Sequence, residues 1–351
     1  MLRDRKQRRR WIFITTASLF ILATIIGLWL YRLIQLPNVQ IDSEASTILI
    51  PTGSTYEDLV QLLRSDSLLK DERGFRKVAN WMKFSDAGIK AGRYKIQSGW
   101  SNRQLISILR AGIQEPVKLV IHNVRTVEDL AGKVAPLIEP DSQSVLTYLR
   151  DSANLSRLKL TRETVLSLFI PNSYEVFWNT SPEGLVRRML HEHDNFWKQN
   201  NRRQKAKEIG LGPAEVYTLA SIVEKETQAS SERSAVAGLY LNRLDKGMPL
   251  QADPTIVFAV GDFTMRRVLN KHLTVDSPYN TYRRVGLPPG PIYMPSISSI
   301  DAVLKAEKHN YLYMCARPDN SGLHAFASNL RGHNQNAARY RSWLNQRGII
   351  K

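Results

Sequence analysis

The chain has 351 residues, enough for two or three domains, and its 43% apolar and 23% charged residues are an ordinary globular balance. A net charge of +17 invites a nucleic-acid partner, and a single cysteine, Cys315, excludes an internal disulfide. Six basic residues and one Asp in MLRDRKQRRR account for +5 of that charge, leaving +12 for the rest.

Directly after this arm, residues 11–30 read WIFITTASLFILATIIGLWL without one charge. Twenty such residues in helix rise about 30 Å, the thickness of a bilayer's hydrocarbon layer. Trp11 at one end and Trp29 with Tyr31 at the other suit the two interfaces. A cleaved signal peptide is the rival reading, but LWLYRLIQLPNVQ offers no small-x-small cleavage site. The segment 11–31 is therefore read as a single-pass anchor of a cell (inner) membrane. The basic arm 1–10 stays cytoplasmic and the bulk of the chain is extracytoplasmic, periplasmic where an outer membrane exists. That orientation argues against nucleic acid. The remaining +12 either faces anionic polymer or lipid headgroups or is simply a solvated basic surface.

Three segments then share one pattern: TILIPTGSTYEDLVQLLR, GRYKIQSGWSNRQLISILR and VKLVIHNVRTVEDLAGKVA. Each reads as a short strand, a turn and an amphipathic helix. The helices open on Thr55 with Asp58, Ser101 with Gln104, and Thr126 with Asp129, the spacing of a reciprocal N-terminal cap. Strand–helix units this small must pack together, which predicts a compact α+β module over 45–115. A wall-binding module of the LysM sort has this style, and a plain spacer is the alternative.

From 116 to 351 the pattern predicts one larger, mostly helical domain with short strands, so the overall class is α+β. SPEGLVRRMLHEHDNFWKQNN is helical, with Ser181 at its start. PAEVYTLASIVEKETQASSERSAVAGLYLNRLDKG reads as two helices broken near QASS, with Pro213 in the first turn and Gly247 at the last C-terminus. VGLPPGPIYMP is a rigid loop, SSIDAVLKAEKH a capped helix, YLYMCAR a buried strand and NQNAARYRSWLNQRG a terminal helix.

LASIVEKET, residues 219–227, places Glu224 and Glu226 about 200° apart on one helix, so they cannot serve one site as a pair. Val216, Leu219, Ala220, Ile222 and Val223 define an apolar face. Glu226 lies roughly 50° from its centre and Glu224 roughly 110° away. Burial without a cationic partner raises a carboxyl pKa, which is what a general acid near neutral pH requires. A solvated helix-end glutamate, or one neutralised by Lys225 or Arg233, is the plain alternative.

No other catalytic motif competes: there is no HExxH, no zinc-spaced Cys/His cluster, no G-x-S-x-G and no phosphate loop. HEHD at 191–194 suggests a metal, but His191 and His193 point to opposite sides of a helix, so no metal and no cofactor is expected. Polar and aromatic residues gather instead in LQADPT, SPYNTYRRVGLPPGP and LHAFASN, as a carbohydrate groove requires. Gln251, Tyr279, Asn280, Tyr282 and His324 are the groove candidates, with the tyrosines equally at home in a core. Asp253 either caps a helix at DPT or stabilises positive charge in the groove.

LASIVEKET, NRL, MPLQADPT, SPYNTYRRVGLPPGPI and HAFASNLRGHN, in this order, resemble the signature blocks of the endolytic murein transglycosylases, membrane-anchored lytic transglycosylases of the bacterial envelope. The match runs from about 90 to 340 and is densest from 219 to 334. The resemblance implies Glu226 as the catalytic glutamate and peptidoglycan glycan strands as substrate. It implies non-hydrolytic cleavage of the β-1,4 bond from N-acetylmuramic acid to N-acetylglucosamine in nascent strands, giving 1,6-anhydro ends that terminate elongation. IPNSYEV departs from an aspartate-containing block of many relatives, so no catalytic duty is expected of Asn172 and the block is expected to shape the groove instead. The alternative function is a catalytically silent, membrane-anchored scaffold that binds peptidoglycan and recruits wall synthases or an elongation or division complex.

Overall fold

The computed structural model describes residues 2–348, with side chains from Gln7 onward. Arg3, Asp4, Arg5 and Lys6, which carry +2 of the N-terminal arm's +5, thus lie outside the described side chains. The chain divides into two compact units: Met1–Val117 with Val176–Asn179, and Lys118–Glu175 with Thr180–Lys351. Its class is mixed α+β, mostly helical, with three two-stranded sheets among the described residues.

The first unit begins with α1 (Leu2–Gln35), a single helix that runs unbroken through the basic arm and the apolar run. Its stretch Gln7–Gln35 is long and apolar enough to cross a bilayer. The helix outlasts the expected end at 31 because its last turn has a second task. Leu33 and Ile34 pack on the unit's core, and the Asn102 amide donates to the Leu33 carbonyl at 2.9 Å. Then follow β1 (Ala45–Ile50), α2 (Tyr56–Ser65), α3 (Glu72–Trp81), β2 (Gly92–Gln97) and α4 (Asn102–Ala111). β1 and β2 are antiparallel, with Ala45 opposite Gln97 and Ile50 opposite Gly92. Leu59, Leu63, Phe75, Tyr94, Leu105 and Leu109 are among the fully buried side chains that close the core. Each contributes about 1.5–3 kcal/mol by leaving water. Helix α3, absent from the strand–helix repeat, is started by Asp71, whose carboxylate accepts from Gly74 N.

The second unit runs β3 (Val117–Ile121), α5 (Val127–Val134), α6 (Ser142–Arg150), α7 (Ser152–Arg157), β4 (Asn172–Val176), α8 (Pro182–Lys198) and α9 (Arg202–Glu208). It continues with α10 (Pro213–Glu226), α11 (Arg233–Asp245), α12 (Asp253–Val260), α13 (Ile297–Leu304), β5 (Tyr313–Ala316), β6 (His324–Ala327) and α14 (Leu330–Gln346). β3 pairs with β4 and β5 with β6. All three predicted caps form as reciprocal boxes, at Thr55, Ser101 and Thr126, and Ser181 caps α8. β5 is half-exposed rather than buried, because it lies in a two-stranded sheet with α14 packed against it.

Helix α10 is the unit's axis. Its residues Val216–Val223 are all buried, so it has no single apolar face. Its polar side chains are satisfied locally: Tyr217 donates to Phe169 O at 2.9 Å, Thr218 to Ala214 O at 2.8 Å and Ser221 to Thr218 O at 2.7 Å. Unsatisfied, each would cost roughly 1–3 kcal/mol.

Candidate active site

Two loops that are distant in sequence are fastened to each other beside the end of α10. Thr281 makes the join. Its carbonyl accepts from Gln251 N at 3.0 Å, and its hydroxyl accepts from Ala252 N at 3.1 Å and meets Thr255 Oγ1 at 2.7 Å. The three residues Ala252, Thr255 and Thr281 are buried, so this small polar cluster is rigid. Gln251 takes a positive φ of 52° to make the turn. The join brings the next residue of each loop together: the Tyr282 hydroxyl donates to Asp253 Oδ1 at 2.5 Å. Asp253 is the first residue of α12, and the N-cap position belongs to Ala252, whose methyl group cannot accept a hydrogen bond. Asp253 therefore does not cap the helix. Its carboxylate is held by Tyr282 instead.

Glu226 is the last residue of α10. Its Oε2 is shut off from solvent and has no hydrogen-bond partner. Burial pushes its pKa up to about 7, and the charge of Asp253 adds to the rise. The Tyr240 hydroxyl and the Arg243 guanidinium act in the other direction without cancelling it. The C-terminal end of a helix, where unpaired carbonyls gather, is also a poor place for a negative charge. Two cavities meet at this carboxyl, and Glu226 and Asp253 line both. Their volumes, about 420 and 360 Å³, are each within the range of ligand clefts.

One cavity is walled by Phe258, Phe263 and Ile292, with Arg125, Lys225, Arg266 and Arg267 around it. The other contains Tyr240, Gln251, Tyr282, Tyr313 and His333. Its one arginine, Arg243, is buried and committed to carbonyls, donating to Leu312 O at 2.7 Å, Leu250 O at 2.8 Å and Pro249 O at 3.0 Å. It also reaches Gln251 Oε1 at 3.1 Å and so orients that amide. Together these residues form a groove with a protonatable acid at its middle, a carboxylate nearby and aromatic faces along it.

The profile of the YceG-like family matches residues 48–339. The chain belongs to the YceG-like family. It is similar to a protein of Bacillus subtilis (strain 168) named endolytic murein transglycosylase, 29% identical over 92% of each chain. It is also similar to a protein of that name from Streptococcus pneumoniae serotype 2, 28% identical over 84% of this chain, and spans 58% of that relative's length. A crystal structure of a yceG-like protein from Listeria monocytogenes superposes with a TM-score of 0.54 at 28% identity, covering 83% of this chain and 98% of that one.

In this YceG-like chain the expected groove residues separate into two groups. Gln251, Asp253 and Tyr282 line the cavities with Glu226. Asn280 does not. It is fully buried, its amide donating to Leu273 O at 2.9 Å and Val275 O at 2.8 Å while its oxygen accepts from Tyr282 N at 3.0 Å. It is spent on organising its own turn. Tyr279 packs behind the wall residue Phe258, with ring centres 4.6 Å apart, and does not reach the groove. His324 turns to Glu232, with Nδ1 2.7 Å from Oε1, and Glu232 also accepts from Thr227 Oγ1 at 2.6 Å. These contacts tie β6 to the end of α10 through Nδ1, and His324 lines neither cavity. Asn172 is exposed, accepts from its neighbour Ser173 N at 2.8 Å and lines neither cavity.

Tyr240 and Arg243 were not among the sequence candidates. Their i, i+3 spacing on α11 was the available signal, because it puts both on one face of that helix. Nothing local distinguishes such a pair from ordinary core. At the HEHD motif, His191 faces Asn195 at 2.9 Å, and His193 packs on Trp197 with its pKa lowered by burial to about 4. No group of three potential metal ligands occurs among the described residues.

Proposed function

We propose that this protein is a membrane-anchored endolytic lytic transglycosylase, with Glu226 as its single acid and base. The supporting observation is the Glu226 carboxyl: unpartnered at Oε2, raised to about 7, and set where two cavities of one groove meet. The names of the relatives support peptidoglycan as the substrate class.

Most glycosidases need a second carboxylate to serve as nucleophile or to activate water. Here the substrate supplies the nucleophile. Protonated Glu226 gives its proton to the glycosidic oxygen, and the bond from that oxygen to the anomeric carbon of the muramic sugar breaks. The N-acetylglucosamine end leaves as an alcohol. Glu226, now ionised, takes the proton from the 6-hydroxyl as that oxygen bonds to the same anomeric carbon. The products are a 1,6-anhydro end and a regenerated acid, with no water consumed. Intramolecular attack replaces a bimolecular step and carries a large effective concentration. Asp253, steadied by Tyr282, faces the positive charge that develops on the sugar ring.

The unbroken apolar stretch of α1 supports an anchor with the catalytic unit outside the cytoplasm. The strand–helix make-up of the first unit supports a glycan-binding duty for it, which we include in the proposal. The test is mass spectrometry of soluble products from purified glycan strands. The protein is expected to release 1,6-anhydro ends, and Glu226→Gln to release none while remaining folded. Reducing ends in place of anhydro ends would replace this reading with hydrolysis.

A further inference from the structure

The two cavities beside Glu226 differ in charge. Arg125, Lys225, Arg266 and Arg267 come from three separate stretches of chain: the residue before the α5 cap, the last turn of α10 and the loop after α12. They converge on one cavity. The other holds a single arginine, already consumed by four oxygens. None of the four converging cations forms an ion pair with a carboxylate among the described residues. Arg125 lies over the Phe263 ring at 3.9 Å, and Lys225 Nζ lies over Tyr293 at 3.5 Å. The aromatic rings hold these two side chains in place without neutralising them. The cavity's own carboxyl groups are two, Asp253 and Glu226, against four cations, and the excess positive charge beside low-dielectric walls draws in an anion.

N-acetyl sugars are neutral and need only hydrogen bonds and stacking. Muramic acid differs from glucosamine by a lactyl ether at O3, which ends either in a carboxylate or in a peptide that carries carboxylates. We propose that this cavity is an anion subsite for the O3 substituent of muramic acid. By seating that substituent it fixes the register of the strand, deciding which of two alternating β-1,4 bonds meets Glu226. This rests on the transglycosylase reading and extends it from the bond broken to how that bond is selected.

The test uses the full-length protein in lipid nanodiscs and three substrates: peptide-bearing strands, peptide-free strands keeping the lactyl carboxylate, and strands whose carboxylates are blocked as methylamides. Wild type is expected to lose about tenfold in kcat/KM on the blocked strands. The Arg266→Ala/Arg267→Ala variant, altered at exposed positions, is expected to lose most of that preference through KM, as is wild type in high salt. A preference for peptide-bearing strands assigns the subsite to peptide carboxylates, a preference for peptide-free strands, which alone carry a free lactyl carboxylate, assigns it to the lactyl group, and equal rates mean that it seats a carboxylate of either origin. The subsite is ruled out if blocked strands are cut as fast as free ones, or if the variant loses the same factor on all three. If wild type releases no anhydro ends from any strand, the transglycosylase reading has failed. The subsite is then decided by strand binding to the Glu226→Gln protein, where salt-sensitive preference for unblocked strands supports it and indifference to blocking overturns it.

Discussion

Glu224 and Glu226, two positions apart on α10, differ in their partners far more than in their burial. Glu224 accepts from Ser296 Oγ at 2.6 Å and from the Ser299 hydroxyl, and it pairs with Arg233 at 3.3 Å. Burial works to raise its pKa, but these hydrogen bonds and that charge outweigh it and hold it below the ordinary value. Glu226 has an oxygen with no partner and rises to about 7. The first glutamate ties α10 to α13, and the second is left able to hold a proton.

Activity should follow the acid form of Glu226. With a pKa of about 7, kcat/KM should hold on the acid side and fall about tenfold per pH unit above it. The same shift affects stability with a defined sign. The unfolded chain loses this proton near 4.5 while the folded chain keeps it to about 7, so folding weakens as pH rises between those values. Relative to Glu226→Gln, wild type should lose about 3 kcal/mol across that window, read by urea unfolding at successive pH values.

Asp253 and Tyr240 should move the alkaline limb in opposite directions. The Asp253 charge raises the Glu226 pKa, so Asp253→Asn should shift the limb to lower pH, with kcat down about a hundredfold if its carboxylate faces the sugar cation. The Tyr240 hydroxyl lowers that pKa, so Tyr240→Phe should shift the limb upward. Limbs that move together in the two pH–rate profiles would refute this electrostatic picture.

Arg243→Lys should cost about 2–3 kcal/mol in denaturant unfolding, because an ammonium cannot reach four oxygens spread over Leu312, Pro249, Leu250 and Gln251. KM should also rise as the Gln251 side chain loses its anchor.

Gly290 is a close-approach site in the rigid LPPGP loop. A Cβ there would run into the Glu163 carbonyl oxygen, a backbone atom that cannot swing aside. Gly290→Ala should therefore destabilise by about 1–3 kcal/mol, with the melting temperature as the measure.

The sequence by itself determined the features that depend on neighbours along the chain. The capping boxes at Thr55, Ser101 and Thr126, the apolar stretch of α1, the break between α10 and α11, and Glu226 as the distinct glutamate were all legible, because caps and helical periods act within a few residues. Even so, the apolar-face argument reached Glu226 by a partial route, since α10 is buried on every side and partners, not exposure, separate the two acids. Only the tertiary structure decided which loop side chains face the groove. Asn280 and His324 carry the right chemistry, but the Leu273 and Val275 carbonyls of a neighbouring turn claim the amide of the one and Glu232 claims Nδ1 of the other. Arg243 and the four cations of the anion cavity became visible only when helices and loops from distant segments crossed at Glu226. A polar side chain's role depends on which unmet hydrogen bond or charge lies closest in space, and spacing along the chain does not encode that.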